Sequence, residues 1–246
     1  MCGCIFLILH AIGGMKNFLE KLFFGKPEYN RPMRHPAYEA QWRHFIRIWN
    51  NEKHHDIGFE KILRLFLVSI QFIFPGIHIR HFFGKFGLIK RNVAVEFYVL
   101  FKTLLPLYFI VSGLYHYKIT VVISIYLLTE TICYVATLIF VADMFVKPRS
   151  YRRNILMLFL NYLEIVFCFA VIYAGLNLLG SQAKTDFDYI YFSVITSTTI
   201  GYGDINPVNG LGKLFVCVQA TMVLAFIVLF LNFFGSKVET LHNEDE

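Results

Sequence analysis

The chain has 246 residues, of which 57% are apolar and 17% aromatic but only 16% charged, whereas ordinary soluble domains carry about a quarter charged residues. With 27 phenylalanines and a mean hydropathy of +0.55, this is a membrane protein by composition. A disordered tail protein, a nucleic-acid-binding domain with solvated basic faces and a disulfide-stapled secreted module are excluded. The net charge of +6 must then be explained by position.

The first fourteen residues, MCGCIFLILHAIGG, hold an apolar run too short to span a bilayer and no basic region ahead of it, so they are not expected to be a signal peptide. Met15 opens a second, more ordinary amphipathic start, and 1–14 is a candidate start-site artefact. Cys2 and Cys4 are candidates for lipidation. Cys133, Cys168 and Cys217 lie in apolar runs and behave there as small hydrophobes, so no bridge framework is implied. Residues 1–92 interleave basic residues with aromatics such as Trp42, Phe45, Trp49, Phe82, Phe83 and Phe86. That pattern suits a cytoplasmic or interfacial region lying on anionic lipid headgroups. Within it, 62–79 is apolar but broken by Arg64, Gln71 and the Pro75-Gly76 pair. An interfacial or re-entrant helix is expected there, with a true span as the alternative.

Four stretches are long and apolar enough to cross about 30 Å of hydrocarbon: 93–115, 119–146, 155–179 and 211–234. Lys and Arg gather on the cytoplasmic side of spans. Fourteen of the 23 basic residues lie in 1–92, four in the linker KPRSYRRN (Lys147, Arg149, Arg152, Arg153), and Lys237 follows the last span. Only Lys118, Lys184 and Lys213 fall on the opposite side. The split predicts both termini in the cytoplasm, and it accounts for the net charge without a nucleic-acid partner. The expected divisions are the N-terminal region 1–92, a two-helix extension 93–146, a basic linker 147–154 and a pore domain 155–246.

Between the last two spans lies GSQAKTDFDYIYFSVITSTTIGYGDINPVNG. It reads as a polar loop, a helix over 187–198 too short to cross, a glycine-containing hexamer and a turn through Asn206-Pro207. The chain must dip in and return on one side, and irregular backbone survives at that depth only where protein or water satisfies it. A re-entrant loop lining an aqueous path follows.

The hexamer Thr199-Ile200-Gly201-Tyr202-Gly203-Asp204, preceded by Thr198, resembles the filter signature of the potassium channel superfamily. Glycine at alternate positions permits positive φ, so successive carbonyls can turn toward one axis. The resemblance covers about 155–235. It implies an all-α membrane protein with four transmembrane helices plus a re-entrant pore helix and filter loop, assembled as a homotetramer around a central pore. It further implies that the carbonyls of Thr199, Ile200, Gly201 and Tyr202, with the Thr199 hydroxyl, replace the water shell of a dehydrated K⁺. Gly203 completes the filter, and Thr198, Asp204 and Tyr191 support it. Ile200 and Tyr202 are implied to point away from the ion and pack behind the filter. Three departures stand out. The aromatic pair of the pore helix is Tyr191-Phe192, whose Tyr191 keeps a hydroxyl for Asp204. Ile195 occupies a position where relatives place a carboxylate. Val223 stands at the usual glycine hinge of the inner helix.

No span carries Arg or Lys at every third residue, so gating charges are not expected. Lys102, Glu130 and Glu164 all fall near mid-depth of their spans. A Lys102–Glu130 or Lys102–Glu164 pair joining the extra helices to the pore is one expectation, and carboxylates that are protonated or face water are the other. Gln219, Thr221 and Asn232 are candidate cavity-lining residues. Seven of nine histidines (His10, His35, His44, His54, His55, His78, His81) lie in the N-terminal region, a candidate proton or metal sensor, although their spacing matches no zinc site. No nucleophile–base grouping or phosphate loop is found, so no enzyme and no organic cofactor are expected. The function expected is a K⁺-selective channel of the plasma membrane, and the alternatives are a weakly selective cation channel or a potassium-uptake subunit on the same pore fold.

Overall fold

The computed structural model describes residues 36–51, 57–141 and 151–242. Readings that rest on Cys2, Cys4, Met15, His10, His35, His54, His55, Lys147 and Arg149 lie outside the described residues, as does the side chain of Asn232.

Among the described residues the protein is helical, with one isolated bridge pair, Leu179 and Pro207. Three short helices come first: α1 (Ala37–Trp49), α2 (Phe59–Ile70) and α3 (Pro75–Gly84). The stretch expected as one interfacial or re-entrant element is a broken pair, since α2 and α3 meet at 60°. Pro75 occupies the first turn of α3, where its missing N–H and fixed φ start a helix but cannot continue one. The frayed end of α2 is held from α1, because Gln41 Nε2 donates to Val68 O at 3.0 Å and to Gln71 Oε1 at 2.9 Å.

The membrane bundle follows: α4 (Leu88–Val111), α5 (Lys118–Phe140), α6 (Tyr151–Gly175), the short α7 (Asp186–Ser197) and α8 (Gly210–His242). All but α7 contain a segment long and apolar enough to cross a membrane. Their limits differ from the hydropathy boundaries. α4 starts earlier than 93, just after Gly87 at φ 112°. α6 stops earlier than 179, because Asn177 turns to φ 50° and the Leu178 N–H closes back on Tyr173 O.

α6 is the hub and packs against α4, α5, α7 and α8. Its stretch from Cys168 to Tyr173 is buried on every side, which suits association in lipid, where close packing rather than water exclusion drives helices together. The C-terminal end of α6 passes so near α5 and the turn before it that a Cβ on Gly175 would lie 2.8 Å from Tyr115 O and strike the Val121 side chain. Glycine is required at that crossing.

Candidate functional site

α7 has 12 residues, about 18 Å of helix at 1.5 Å per residue, and so enters the bundle without crossing. Its N-terminus is fixed by Asp188, whose Oδ2 accepts the backbone N–H groups of Thr185 at 2.8 Å and Lys184 at 2.7 Å. Those two bonds, with a smaller contribution from nearby Lys184, hold the Asp188 carboxyl below its ordinary range, as expected for a carboxylate closing a capping box. Asp186 in the same turn accepts from Tyr115 Oη at 2.6 Å, which ties the turn between α4 and α5 to the mouth of the re-entrant segment.

At its other end α7 runs into the hexamer. The Ile200 and Gly201 N–H groups both reach Ile195 O, at 3.0 and 3.3 Å. Thr199, Gly201 and Gly203 take φ of 59°, 53° and 79°, so left-handed residues alternate with ordinary ones. Alternation of this kind cancels the strand habit of pointing successive carbonyls to opposite faces. Thr199 does so despite its branched Cβ, an uncommon and strained conformation that clusters at functional sites. Beyond the loop, Tyr191 Oη donates to Asp204 Oδ2 at 2.8 Å and Asn206 Nδ2 to Gly203 O at 2.8 Å. The exit segment returns beside the entry loop, with Gly180 N bonded to Asn206 O and Val208 N to Leu178 O. In the protomer Ile200 and Tyr202 are 54% and 70% exposed, so their side chains are not packed within one chain.

Behind the re-entrant helix sits a polar knot that the sequence did not reveal. Gln219 Nε2 donates to Ser197 Oγ at 2.6 Å and Ser193 O at 3.0 Å, while its Oε1 accepts from Tyr173 Oη at 2.7 Å. Ser193 Oγ in turn donates to Val166 O at 2.6 Å. Gln219 is fully buried, which corrects its reading as a cavity-lining residue: α6 and α7 both bond its amide, and both ends of the amide are used inside the protomer. Thr221 is exposed; its hydroxyl donates to Cys217 O at 2.9 Å, and it borders a groove of about 430 Å³ between α5 and α8.

The three mid-depth charges divide. Lys102 Nζ lies 3.0 Å from Glu164 Oε2 and donates to Thr131 Oγ1 at 2.8 Å, and Thr131 donates to Glu164 Oε1 at 2.9 Å. Glu130 is not in this group. Its Oε2 accepts from Tyr98 Oη at 2.6 Å, with Lys102 5.9 Å from the centre of the Tyr98 ring on its other side. The Lys102–Glu130 alternative is therefore replaced by a tyrosine between the two. Tyr98 lies one turn before Lys102 and Thr131 directly follows Glu130, spacings that carry no signal of their own.

A short helix and a glycine loop lie between two apolar spans, and residues 161–240 match the ion channel family. More narrowly, over 83 residues the chain is 35% identical to two pore potassium channel a of Oryza sativa subsp. japonica, a match covering 34% of this chain and 23% of that protein. The chain thus spans about a quarter of the length of that curated relative. No solved structure matches the chain. Four described helices are long and apolar enough to cross a membrane, the architecture of a multi-pass membrane protein.

Proposed function

We propose that four copies of the chain form a K⁺-selective channel whose filter is the backbone of Thr199, Ile200, Gly201, Tyr202 and Gly203, braced by Thr198, Tyr191 and Asp204. The observation that carries this reading is the alternation of left-handed φ at Thr199, Gly201 and Gly203, which lets consecutive carbonyls face one side and stand in for the hydration shell of a dehydrated K⁺. One such loop encloses nothing, so a ring requires further copies. The exposure of Ile200 and Tyr202 in the protomer supports the same conclusion, because a neighbouring chain would cover them. The exposed face of α8, with Thr221, Leu224, Val228 and Leu231, would line the cavity below the filter. The basic end of the bundle faces the cytoplasm of a plasma-membrane protein and meets anionic headgroups there. Among the described residues no span is Arg-rich, so the proposed channel opens without gating charges of that kind.

The test is the reversal potential of the reconstituted full-length protein with K⁺ on one side and Na⁺ on the other. A value near the K⁺ equilibrium potential is expected. A value near zero assigns the protein to weakly selective cation channels.

A further inference from the structure

Residues 222–231 of α8 read MVLAFIVLFL, a helical stretch without one polar side chain and about 15 Å long at 1.5 Å per residue. Its backbone N–H and C=O groups are spent on the helix itself. Whatever the rotation of α8, this level presents nothing that bonds to water. The protomer nevertheless shows which way the helix is turned. Met222, Phe226 and Leu229 are buried in the core shared with α5 and α6. Leu224, Val228 and Leu231 are 60%, 47% and 65% exposed and continue a stripe that begins at exposed Thr221, at the three- and four-residue spacing of one helix face. Between Gly212 and Gly235 the chain has neither glycine nor proline, the residues at which helices most often kink, and β-branched Val223 is packed within that stretch. A hinge on which the lower half of α8 could swing is therefore lacking.

We infer that the channel is shut by loss of water from this apolar level, with Leu224, Val228 and Leu231 of the four copies as its gate. The inference rests on the four-copy pore reading and adds the regulation of that pore. Below the filter no ring of oxygens replaces the hydration shell of K⁺, so the ion must travel with its water or pay the cost of an uncompensated charge. Water confined between apolar walls lacks hydrogen-bond partners and withdraws, so a passage wide enough for an ion can still be closed to it. The barrier falls when the level widens slightly or gains polar groups. A stiff α8 tilting as a whole supplies the widening without a bend. Such a gate differs from a plug of touching side chains in one respect: it answers to the polarity of the wall at constant size.

The test compares K⁺ flux into liposomes carrying equal amounts of full-length wild-type protein and of its variants. Val228→Thr replaces a methyl by a hydroxyl at nearly constant shape, and is expected to raise flux by about tenfold or more as each copy adds a water-binding group to the ring. Val228→Ala makes the wall smaller but leaves it apolar, and should raise flux clearly less. Val122→Thr, the same change on the exposed face of α5, should alter flux by less than about twofold. If Val228→Thr fails to assemble on size exclusion, Leu224→Asn, close to leucine in size, serves in its place, with Leu224→Ala beside it. Flux through the polar variant alone, with a silent wild type, is the same gate in its tightest form. An alanine variant as active as the polar one would mean a steric plug and overturn the inference, as would no gain from the polar variant or silence of both. The reversal potential is a separate reading: a value near zero with the threonine effect intact removes K⁺ selectivity and leaves the gate, whereas K⁺-selective flux indifferent to Val228→Thr does the opposite.

Discussion

Lys102 and Glu164 form a buried ion pair across α4 and α6, with Nζ and Oε2 3.0 Å apart and side chains 4% and 0% exposed. Thr131 of α5 bonds to both, so one charged cluster holds all three spans around the hub helix. Removing one partner of such a pair leaves an uncompensated charge where hydration is unavailable, at a typical loss of about 3–5 kcal/mol, whereas replacing both by apolar groups is often near neutral. Lys102→Met alone should therefore lower the yield and heat resistance of assembled protein strongly. Lys102→Met with Glu164→Leu and Thr131→Val should recover most of it, as read by size-exclusion profiles after graded heating. Equal damage from the single and triple variants would show that the cluster does not act as a unit.

Gln219 poses a different case, because its partners are neutral and belong to the pore module. Replacing it by leucine orphans the buried Tyr173 hydroxyl, at about 1–3 kcal/mol, and takes one partner each from Ser197 and the Ser193 backbone carbonyl. The loss falls on the contact between α7 and α8, which positions the filter. Gln219→Leu is expected to reduce K⁺ flux and broaden ion selectivity in surviving channels, while Thr129→Val, at an exposed position on α5, should leave both unchanged and shift stability by less than about 0.5 kcal/mol. Liposome flux with K⁺ and Na⁺ distinguishes the two. Undiminished selectivity in Gln219→Leu would mean that the knot is dispensable for the filter.

The difference between these two sites shows what the sequence could disclose. Spans announce themselves by length and hydropathy, and the Thr-Ile-Gly-Tyr-Gly run is specific because a backbone needing left-handed φ at alternate residues admits few side chains. Lys102 and Glu164 were visible as charges within apolar runs, but their partner choice was not, since Glu130 lies at the same depth and only helix rotation sends it to Tyr98 instead. Gln219 misled for the same reason. A polar residue on an inner helix can face the cavity or the helix behind it, and hydropathy does not encode azimuth. The break between α2 and α3 was signalled by Pro75, whereas its 60° bend and the bonds from Gln41 of α1 to the end of α2 were not.

Tyr115 gives a pH dependence. The hydrogen bond it donates to Asp186, with burial a smaller cause, pushes its hydroxyl up to about 12, above the ordinary value near 10. A raised folded-state value stabilises the folded protein fully below the ordinary value, and that contribution is lost as pH rises through the raised one. On the alkaline side the link between the α4–α5 turn and the N-terminus of α7 should hold from neutral pH up to about 10 and fail between there and about 12. Wild-type protein should lose heat resistance across that window more steeply than Tyr115→Phe, which lacks the titrating group and begins from a lower plateau. Parallel alkaline curves for the two would remove Tyr115 from the account.

Gly201 provides the sharpest test of the filter geometry, because its surroundings separate two explanations. A Cβ built there meets no atom within 4 Å in the protomer, so a substitution is not excluded by collision inside one chain. Its φ of 53° is the obstacle: holding an L-residue in left-handed backbone costs roughly 1–2 kcal/mol, and the cost recurs in every copy around a ring. Gly201→Ala should therefore fold and assemble with nearly normal heat resistance as a protomer, yet lose K⁺ flux by at least about tenfold as the carbonyls of Ile200 and Gly201 leave the common face, since each 1.4 kcal/mol is a factor of about ten. Gly58→Ala, also at positive φ and with open space around it, carries a comparable backbone strain far from the loop and should leave flux intact. Normal K⁺ flux through Gly201→Ala would mean that the left-handed alternation is not what builds the conduction path.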